Sequence, residues 1–448
     1  MIFNKTKTVS MHMRTIIIVL LLGWSLAGNS QVKYQNIYNF SDGVARVNID
    51  TKFGYINKKG VEIVPLDYST GLFFEGLCST KTADGYTYVD KNGKDAFPLM
   101  RFDAAADFSG GMACVYSKGK AGYINKKGKL VIDYKYDWGS TFSEGFAYVK
   151  LDEDGKYGFI DKRGTEITDF IYDNVSKFSQ GMAPVKINDQ WGYINKKGAM
   201  VIPCQYDHAG DFSNGVAKVM RDDKFGLIDK KGKEIVPIQY DLVGNTTSTL
   251  ALVEQNGKRG FVDKKTGKEV IPLIYQTSMA YSEGLIPVKL NDKWGFIDKT
   301  GKEIIPFKYD FAWRFENGLS HVKENDKYGY INKKGETVIP FKYDFAAPHN
   351  QGLALVRIGK KMGYINRKGE EVIPIIYDSC GGRSEGLAIV SLENKYGFAD
   401  EKGREVVPIQ YDWVERFSDG VAKVLLNGKW GFIDKKGEVV IPFMFDFR

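Results

Sequence analysis

The stretch KWGFIDKKGEVVIP, residues 429–442, decides how this chain is read, because close copies of it recur throughout. KFGYINKKGVEIVP stands at 52–65, QWGYINKKGAMVIP at 190–203 and KWGFIDKTGKEIIP at 293–306. Aligned on the glycine after the first aromatic, the copies fall at Gly54, Gly122, Gly158, Gly192, Gly226, Gly260, Gly295, Gly329, Gly363, Gly397 and Gly431, with Thr87 filling the slot between the first two. That makes twelve units. A period near 34 residues held this evenly is the mark of a tandem-repeat architecture, in which each unit is too small to bury a core alone and its neighbours supply the cover. The frame opens at Tyr34 and closes at Phe445 and Asp446, so 31–448 reads as one array with no separate catalytic domain.

Within a unit the pattern is Tyr-Asp, a few variable residues, Phe-Ser-x-Gly-x-Ala-x-Val, a polar turn, aromatic-Gly-aromatic-Ile-Asn/Asp-Lys-Lys-Gly and x-x-Val-Ile-Pro. Asn/Asp-Lys-Lys-Gly is hairpin chemistry. The acid or amide bonds forward to the backbone, ordinary residues suit the centre of a type I turn, and Gly supplies the positive φ that closes it as a bulge. The Asn/Asp slot is filled from Asn57 to Asp434 and the Gly slot from Gly60 to Gly437, with Thr266 inserted in the seventh unit. The flanks, GFID and VVIP, are short, β-branched and aromatic, and GVAKVLL (420–426) alternates with a period of two. This predicts about three antiparallel strands per unit, the Pro ending the third, in an all-β array. Twelve units exceed the 4 to 8 blades of ordinary propellers, and about 34 residues are few for a four-stranded blade. The expectation is therefore an open solenoid or superhelix, with one or two propeller-like toroids as the alternative.

The WG core in KWGFIDKKG and the lead-in YDWVERFSDG (411–420) resemble the WG-repeat family, and the resemblance covers about 34–446. It implies a bacterial, exported protein of short β-rich repeats with a binding role. The first aromatic is Trp only at Trp191, Trp294 and Trp430. It is Phe53, Tyr86, Tyr157, Phe225, Tyr328 or Tyr396 elsewhere, and three units have Ala121, Arg259 or Met362.

Residues 1–30 differ from the rest. Lys5, Lys7 and Arg14 precede the apolar run TIIIVLLLGWSLAG (15–28), the layout of a secretory signal peptide with cleavage after Ser30. The run is shorter than the roughly 20 residues of a membrane span. The expectation is export to the periplasm or outside the cell, with no membrane span after cleavage. Removing three cations and no acids takes the net charge from +8 to +5. Lysines and acids alternate along the chain, so no nucleic-acid groove is expected. The four cysteines, Cys78, Cys114, Cys204 and Cys380, occupy different slots and read as isolated thiols rather than a disulfide framework.

Chemistry is sparse. His208, His321 and His349 lie in different units and slots, which argues against a metal site, and no cofactor is expected. DEDGKYG (152–158) lacks the ligand pattern of a calcium loop, and KTGKE (265–269 and 299–303) falls in the repeated turn. At the Phe slot before Ser-x-Gly, the seventh, tenth and eleventh units carry Thr246, His349 and Arg383, and SCGGRSEG (379–386) lies beside the last. The reading is a non-catalytic, exported binding scaffold that presents an extended surface to a protein or a cell-envelope glycan, with no individual binding residue assigned. The alternative is an enzyme of hydrolase type with its site in the irregular units around 349–386.

Overall fold

The computed structural model describes residues 34–446 except 69, 154, 246 and 248. The expected signal peptide and its cleavage point lie outside the described residues, as does Thr246. The described residues contain no helix. They form twelve antiparallel sheets in strict chain order, ten of four strands and two of three, one sheet per sequence unit.

The fifth unit shows how the sequence builds a blade. Its strands are Asn174–Val175, Met182–Ile187, Gln190–Asn195 and Met200–Tyr206, each paired with the next. Ser179-Gln180-Gly181 joins the first two strands, with φ of 51° at Gln180 and 83° at Gly181, a two-residue turn that matches strand twist. Asn188 and Asp189, with φ of 48° and 65°, do the same between the second and third. The expected Asn-Lys-Lys-Gly hairpin follows: the Gly198 amide donates to Asn195 O at 2.9 Å, Lys197 N donates to Asn195 Oδ1 at 2.8 Å, and Gly198 has φ 78°.

Two expectations about the strands are corrected. The proline does not end pairing. Trp191 pairs with Tyr206 and Tyr193 with Ile202, so the fourth strand carries surplus residues in a bulge around Pro203 and then rejoins the ladder. A bulge tolerates a residue without an N–H. It also explains the glycine of the WG pair, since a Cβ on Gly192 would lie 2.5 Å from Ile202 O. The unit has four strands rather than three, because the first is only two residues long and sits in the segment that looked merely variable. In the fourth unit Asp169 replaces the proline and the last segment is reduced to isolated bridges, with the Thr168 hydroxyl accepting the Phe159 amide at 2.9 Å.

Cores lie between successive blades. Met182, Tyr193, Ile202 and Tyr206 of the fifth blade pack on Ala209, Phe212, Ala217, Val219 and Ile228 of the sixth, with Tyr193 edge-on to Phe212 at 5.0 Å. Polar contacts fix the register. Tyr193 OH donates to Gly210 O at 2.8 Å, Ser179 Oγ to Phe212 O at 2.8 Å, Gly215 N to Gln180 Oε1 at 2.8 Å and Lys230 Nζ to Gln180 O at 2.6 Å.

The same set joins the last blade to the first. Val421, Phe432 and Ile441 pack on Ile37, Phe40, Ala45, Val47 and Ile56, with Phe40 edge-on to Phe432 at 5.1 Å. Ser418 Oγ donates to Phe40 O at 2.6 Å, Gly43 N to Asp419 Oδ2 at 2.5 Å, and Lys58 Nζ to Asp419 O. The array is therefore one closed, propeller-like ring of twelve blades, and the open solenoid is overturned in favour of the toroid. About 34 residues suffice for a four-stranded blade because the first strand is so short and two of the turns have two residues. Closure uses side-by-side packing, since the first blade is built wholly from the N-terminal end and the twelfth wholly from the C-terminal end.

Candidate binding surface

Each ring end is defined by its turns. At one end, the residue before Gly in Ser-x-Gly latches to the next blade: its carboxylate or amide takes the next blade's glycine amide, and the turn lysine of the next blade reaches back to it. Glu144 accepts from Gln180 N at 2.7 Å and Gly181 N at 2.9 Å and pairs with Lys196 at 3.1 Å. Lys91–Asp42, Lys333–Glu283 and Lys435–Glu385 are counterparts at 3.0, 3.8 and 2.9 Å. Among the described residues this slot has a left-handed backbone, which is why a position that looked variable is filled by Asp, Glu, Asn, Gln or, at Gly110, glycine.

The irregular units follow the same logic. In the eleventh blade the turn lysine is replaced by Glu401, and Arg383, standing in the Phe slot, donates to Glu401 Oε1 at 2.5 Å and to Asn350 O at 2.7 Å. One departure compensates the other. Ser379–Ser384 is a full-length first strand, bulged between Cys380 and Arg383, and a Cβ on Gly382 would lie 2.2 Å from the Arg416 guanidinium. SCGGRSEG thus has a packing account.

Of the histidines, His208 is exposed on its short strand, whereas the structure brings His321 and His349 together around Tyr330, with ring centroids 6.2 and 4.8 Å away. Burial, and secondarily the nearby His349, pushes the His321 pKa down to about 4, and burial also lowers that of His349. Both are neutral at pH 7, and no group of three or more metal-ligating side chains occurs among the described residues. An open cleft of about 420 Å³ nearby is lined by Glu283, Arg314, Glu316, Asn317, His349 and Gln351, among others. Its Ser282 hydroxyl donates to Phe315 O at 2.6 Å, and His349 Nε2 faces Asn366 O at 3.3 Å, so both are engaged with backbone. The cysteines are free. Cys78, Cys114 and Cys380 are buried and their thiols are pushed up to about 12 by burial.

The other end carries an aromatic and cationic rim. The second aromatic of the repeat is core, as Tyr193, Phe296 and Tyr330 show, but the first is half-exposed at Phe53, Tyr157, Trp191, Phe225, Tyr328 and Tyr396. Cations from the adjacent strand lie over several of these rings: Arg46 over Phe53 at 3.8 Å, Lys150 over Tyr157 at 4.7 Å, Lys218 over Phe225 at 5.1 Å and Lys323 over Tyr328 at 5.9 Å. Beside them the short first strands expose Trp138, Phe345 and Trp413, at 40%, 40% and 49%. Trp294, Phe311, Tyr328 and Phe345 form a continuous run across three blades at 6.2, 6.1 and 6.4 Å. The second slot is thus core, whereas the first is buried at Trp294 and half-exposed at the positions named. The short-strand rings were missed, although each directly follows a Tyr-Asp pair.

Between blades this rim is held by ion pairs from the lysine before the WG pair to the aspartate of Tyr-Asp, such as Lys224–Asp241 at 2.5 Å and Lys361–Asp378 at 2.7 Å. The second oxygen of each carboxylate takes a turn amide, from Asn256 at 2.7 Å and Glu393 at 2.8 Å. The lysine first and the amide second hold the Asp241 and Asp378 carboxyls below the ordinary aspartate range.

No curated protein matches the chain. Among solved structures it is similar to the extracellular domain of a one component system from B. thetaiotaomicron, at 8% identity over 92% of this chain and 77% of that one, TM-score 0.26. It is also similar to a eukaryotic initiation factor, at 11% identity over 75% and 95%, TM-score 0.34. PorZ, a surface component of the type-IX secretion system of Porphyromonas gingivalis, matches at 8% identity over 89% and 64%, TM-score 0.21. At such scores these likenesses carry no argument about function. The family model described as WG containing repeat matches in thirteen consecutive segments, from 30–52 and 53–79 through to 396–430 and 430–447. Its frame cuts each blade between the second and third strands, so the first and last segments are partial and the thirteen amount to twelve blades. With these matches running from residue 30 to residue 447, the chain belongs to the WG containing repeat family.

Proposed function

We propose that the ring is an exported, non-catalytic scaffold that binds a protein or a glycan of the cell envelope through its aromatic and cationic rim. The observation that carries this reading is the recurrence, in the first, fourth, sixth and ninth blades, of a half-exposed aromatic with a cation over it, joined at intervals by the exposed Trp138, Phe345 and Trp413. Aromatic rings supply large contact area at small entropic cost, and repeated weak contacts add along a surface. Support for a non-catalytic role is that Arg383, Gly382 and Ser282 each have a structural partner. Export is inferred from the leader pattern of residues 1–30.

Because the ring is closed, excising a whole unit would break the seam, and point variants are the cleaner test. The full mature chain is immobilised and exposed to the native envelope fraction beside the triple variant Trp138→Ala, Phe345→Ala, Trp413→Ala. Capture of a partner that falls in the triple variant, with both proteins folded, supports the reading. A hydrolytic turnover by the wild type that is abolished by His349→Ala, with the ring intact, overturns it in favour of an enzyme.

A further inference from the structure

The fourth blade departs from the others at the rim. Its second and third strands, Phe146–Lys150 and Tyr157–Asp161, are joined by 151–156 instead of a two-residue turn. The longer connection walls off a cleft of about 420 Å³ lined by Gly119, Asp137, Trp138, Lys150, Glu153 and Tyr157. It also changes Asp137. In several blades with a two-residue turn the second carboxylate oxygen takes a turn amide, as Asp173 Oδ2 does from Asn188 N and Asp207 Oδ2 from Asp222 N, both at 2.8 Å. Asp137 keeps its ion pair with Lys120, but among the described residues no turn amide reaches its Oδ2. Asp137 thus lines the cleft with a carboxylate oxygen that takes no turn amide.

Trp138 lines the same cleft. One side of its indole is backed by Tyr148 at 5.4 Å and 32°, Tyr157 meets it at 6.0 Å and 89°, and 40% of the residue is exposed. Two aromatics at right angles with carboxylates nearby could in principle seat an ammonium ligand. Lys150 decides against that: its Nζ already lies over the Tyr157 ring at 4.7 Å and donates to Glu153 O at 3.3 Å, so a second cation would meet like charge. What is left is the exposed part of the Trp138 indole in a cleft whose carboxylates, Asp137 and Glu153, are matched by Lys150 on the lining and by Lys120 paired with Asp137, so that its polar groups include both donors and acceptors. That combination suits a ligand with an apolar face and an equatorial belt of hydroxyls.

We propose that this cleft is a saccharide subsite, in which one pyranose ring of a glycan lies on the open face of Trp138 with its hydroxyls on Asp137, Lys150 and Glu153. This rests on the scaffold reading above and names one ligand class for it. The volume lies in the range of small-ligand clefts. The test uses the full mature chain, titrated calorimetrically with N-acetylglucosamine tetramer, cellohexaose and maltohexaose. At least one should bind. Trp138→Ala should weaken it by roughly tenfold or more, the loss expected on truncating an aromatic anchor. Asp137→Asn should weaken it too, and Lys197→Ala, in an exposed turn at the other end of the ring, should leave it unchanged. Thermal melting of Trp138→Ala beside the wild type separates lost binding from lost fold, and Trp138→Phe, which keeps a ring against Tyr148 and Tyr157, should retain part of the affinity. If none of the three binds, or if Trp138→Ala binds as the wild type does, the subsite is overturned. Envelope capture that persists in that case leaves the scaffold reading standing, and absence of any capture fells that reading as well.

Discussion

Substituting Gly198 by alanine probes the turn and the blade interface together. Gly198 closes the Asn-Lys-Lys-Gly hairpin of the fifth blade at φ +78°, and a Cβ there would sit 1.9 Å from Ile167 O and 2.9 Å from Ile167 C of the fourth blade. The left-handed conformation alone costs an L-residue roughly 1–2 kcal/mol. The clash is with backbone, which cannot swing aside as a side-chain tip would, so relief requires the two blades to separate, an overpacking cost of about 1–3 kcal/mol. Gly198→Ala should therefore destabilise by about 2–5 kcal/mol. Gly181 of the same blade is the comparison. Its φ is +83° but nothing lies within 4 Å of its Cβ position, so Gly181→Ala should show the strain alone, roughly 1–2 kcal/mol. The assay is urea unfolding of the full chain followed by tryptophan fluorescence. If the two variants unfold at the same urea concentration, the glycine serves only the turn and the proposed close approach of neighbouring blades is wrong.

Glu401→Lys should destabilise the ring by placing a cation beside Arg383. The double variant Arg383→Phe, Glu401→Lys restores the common pattern and should recover most of the loss, and a double-mutant cycle showing no coupling would refute the compensation. Phe40→Ala should cost about 3–5 kcal/mol, and Phe212→Ala the same, because each ring fills the equivalent inter-blade core. A markedly cheaper Phe40 substitution in urea unfolding would contradict equal packing at the seam. The Asp241 and Asp378 carboxyls are held below their ordinary value of 3.8, so folding favours their ionised form. Their contribution is complete above that value and lost as pH falls through the lowered folded one. Melting followed from pH 6 to pH 2 should show a decline confined to the acid end that shrinks in Asp241→Asn, Asp378→Asn, and an unchanged decline would remove these pairs from the explanation.

Much of the blade was legible in the chain. The twelve units, the hairpin closed by Gly198 and its eleven equivalents, and the strand character of the flanks follow from local chemistry, which a single sequence displays. Closure was not legible. Phe40 and Phe432 meet only if every blade-to-blade step adds up to a full turn, and no local pattern encodes that sum. Nor was the short first strand, because two residues such as Trp138 and Gly139 are too few to show alternation. The Ser-x-Gly position looked variable because it is conserved in chemistry rather than identity: Glu144, Gln180 and Asn317 share a left-handed backbone and a short polar reach. The rim was half-seen, since the repeat places an aromatic at most first slots without saying that most of these, unlike the second, are left half-exposed.

The central claim is the closed ring, and a distance across the seam tests it most directly. Lys59 and Lys436 occupy equivalent exposed turn positions in the first and twelfth blades, as Lys197 and Lys231 do in the fifth and sixth. With the half-buried Cys204 replaced by serine, spin labels are placed at Lys59→Cys, Lys436→Cys and, separately, at Lys197→Cys, Lys231→Cys, and the distances are read by pulsed electron resonance. A closed ring predicts the same distance distribution for both pairs. A seam pair far longer than the adjacent-blade pair would mean that the ends do not meet and that the array is open.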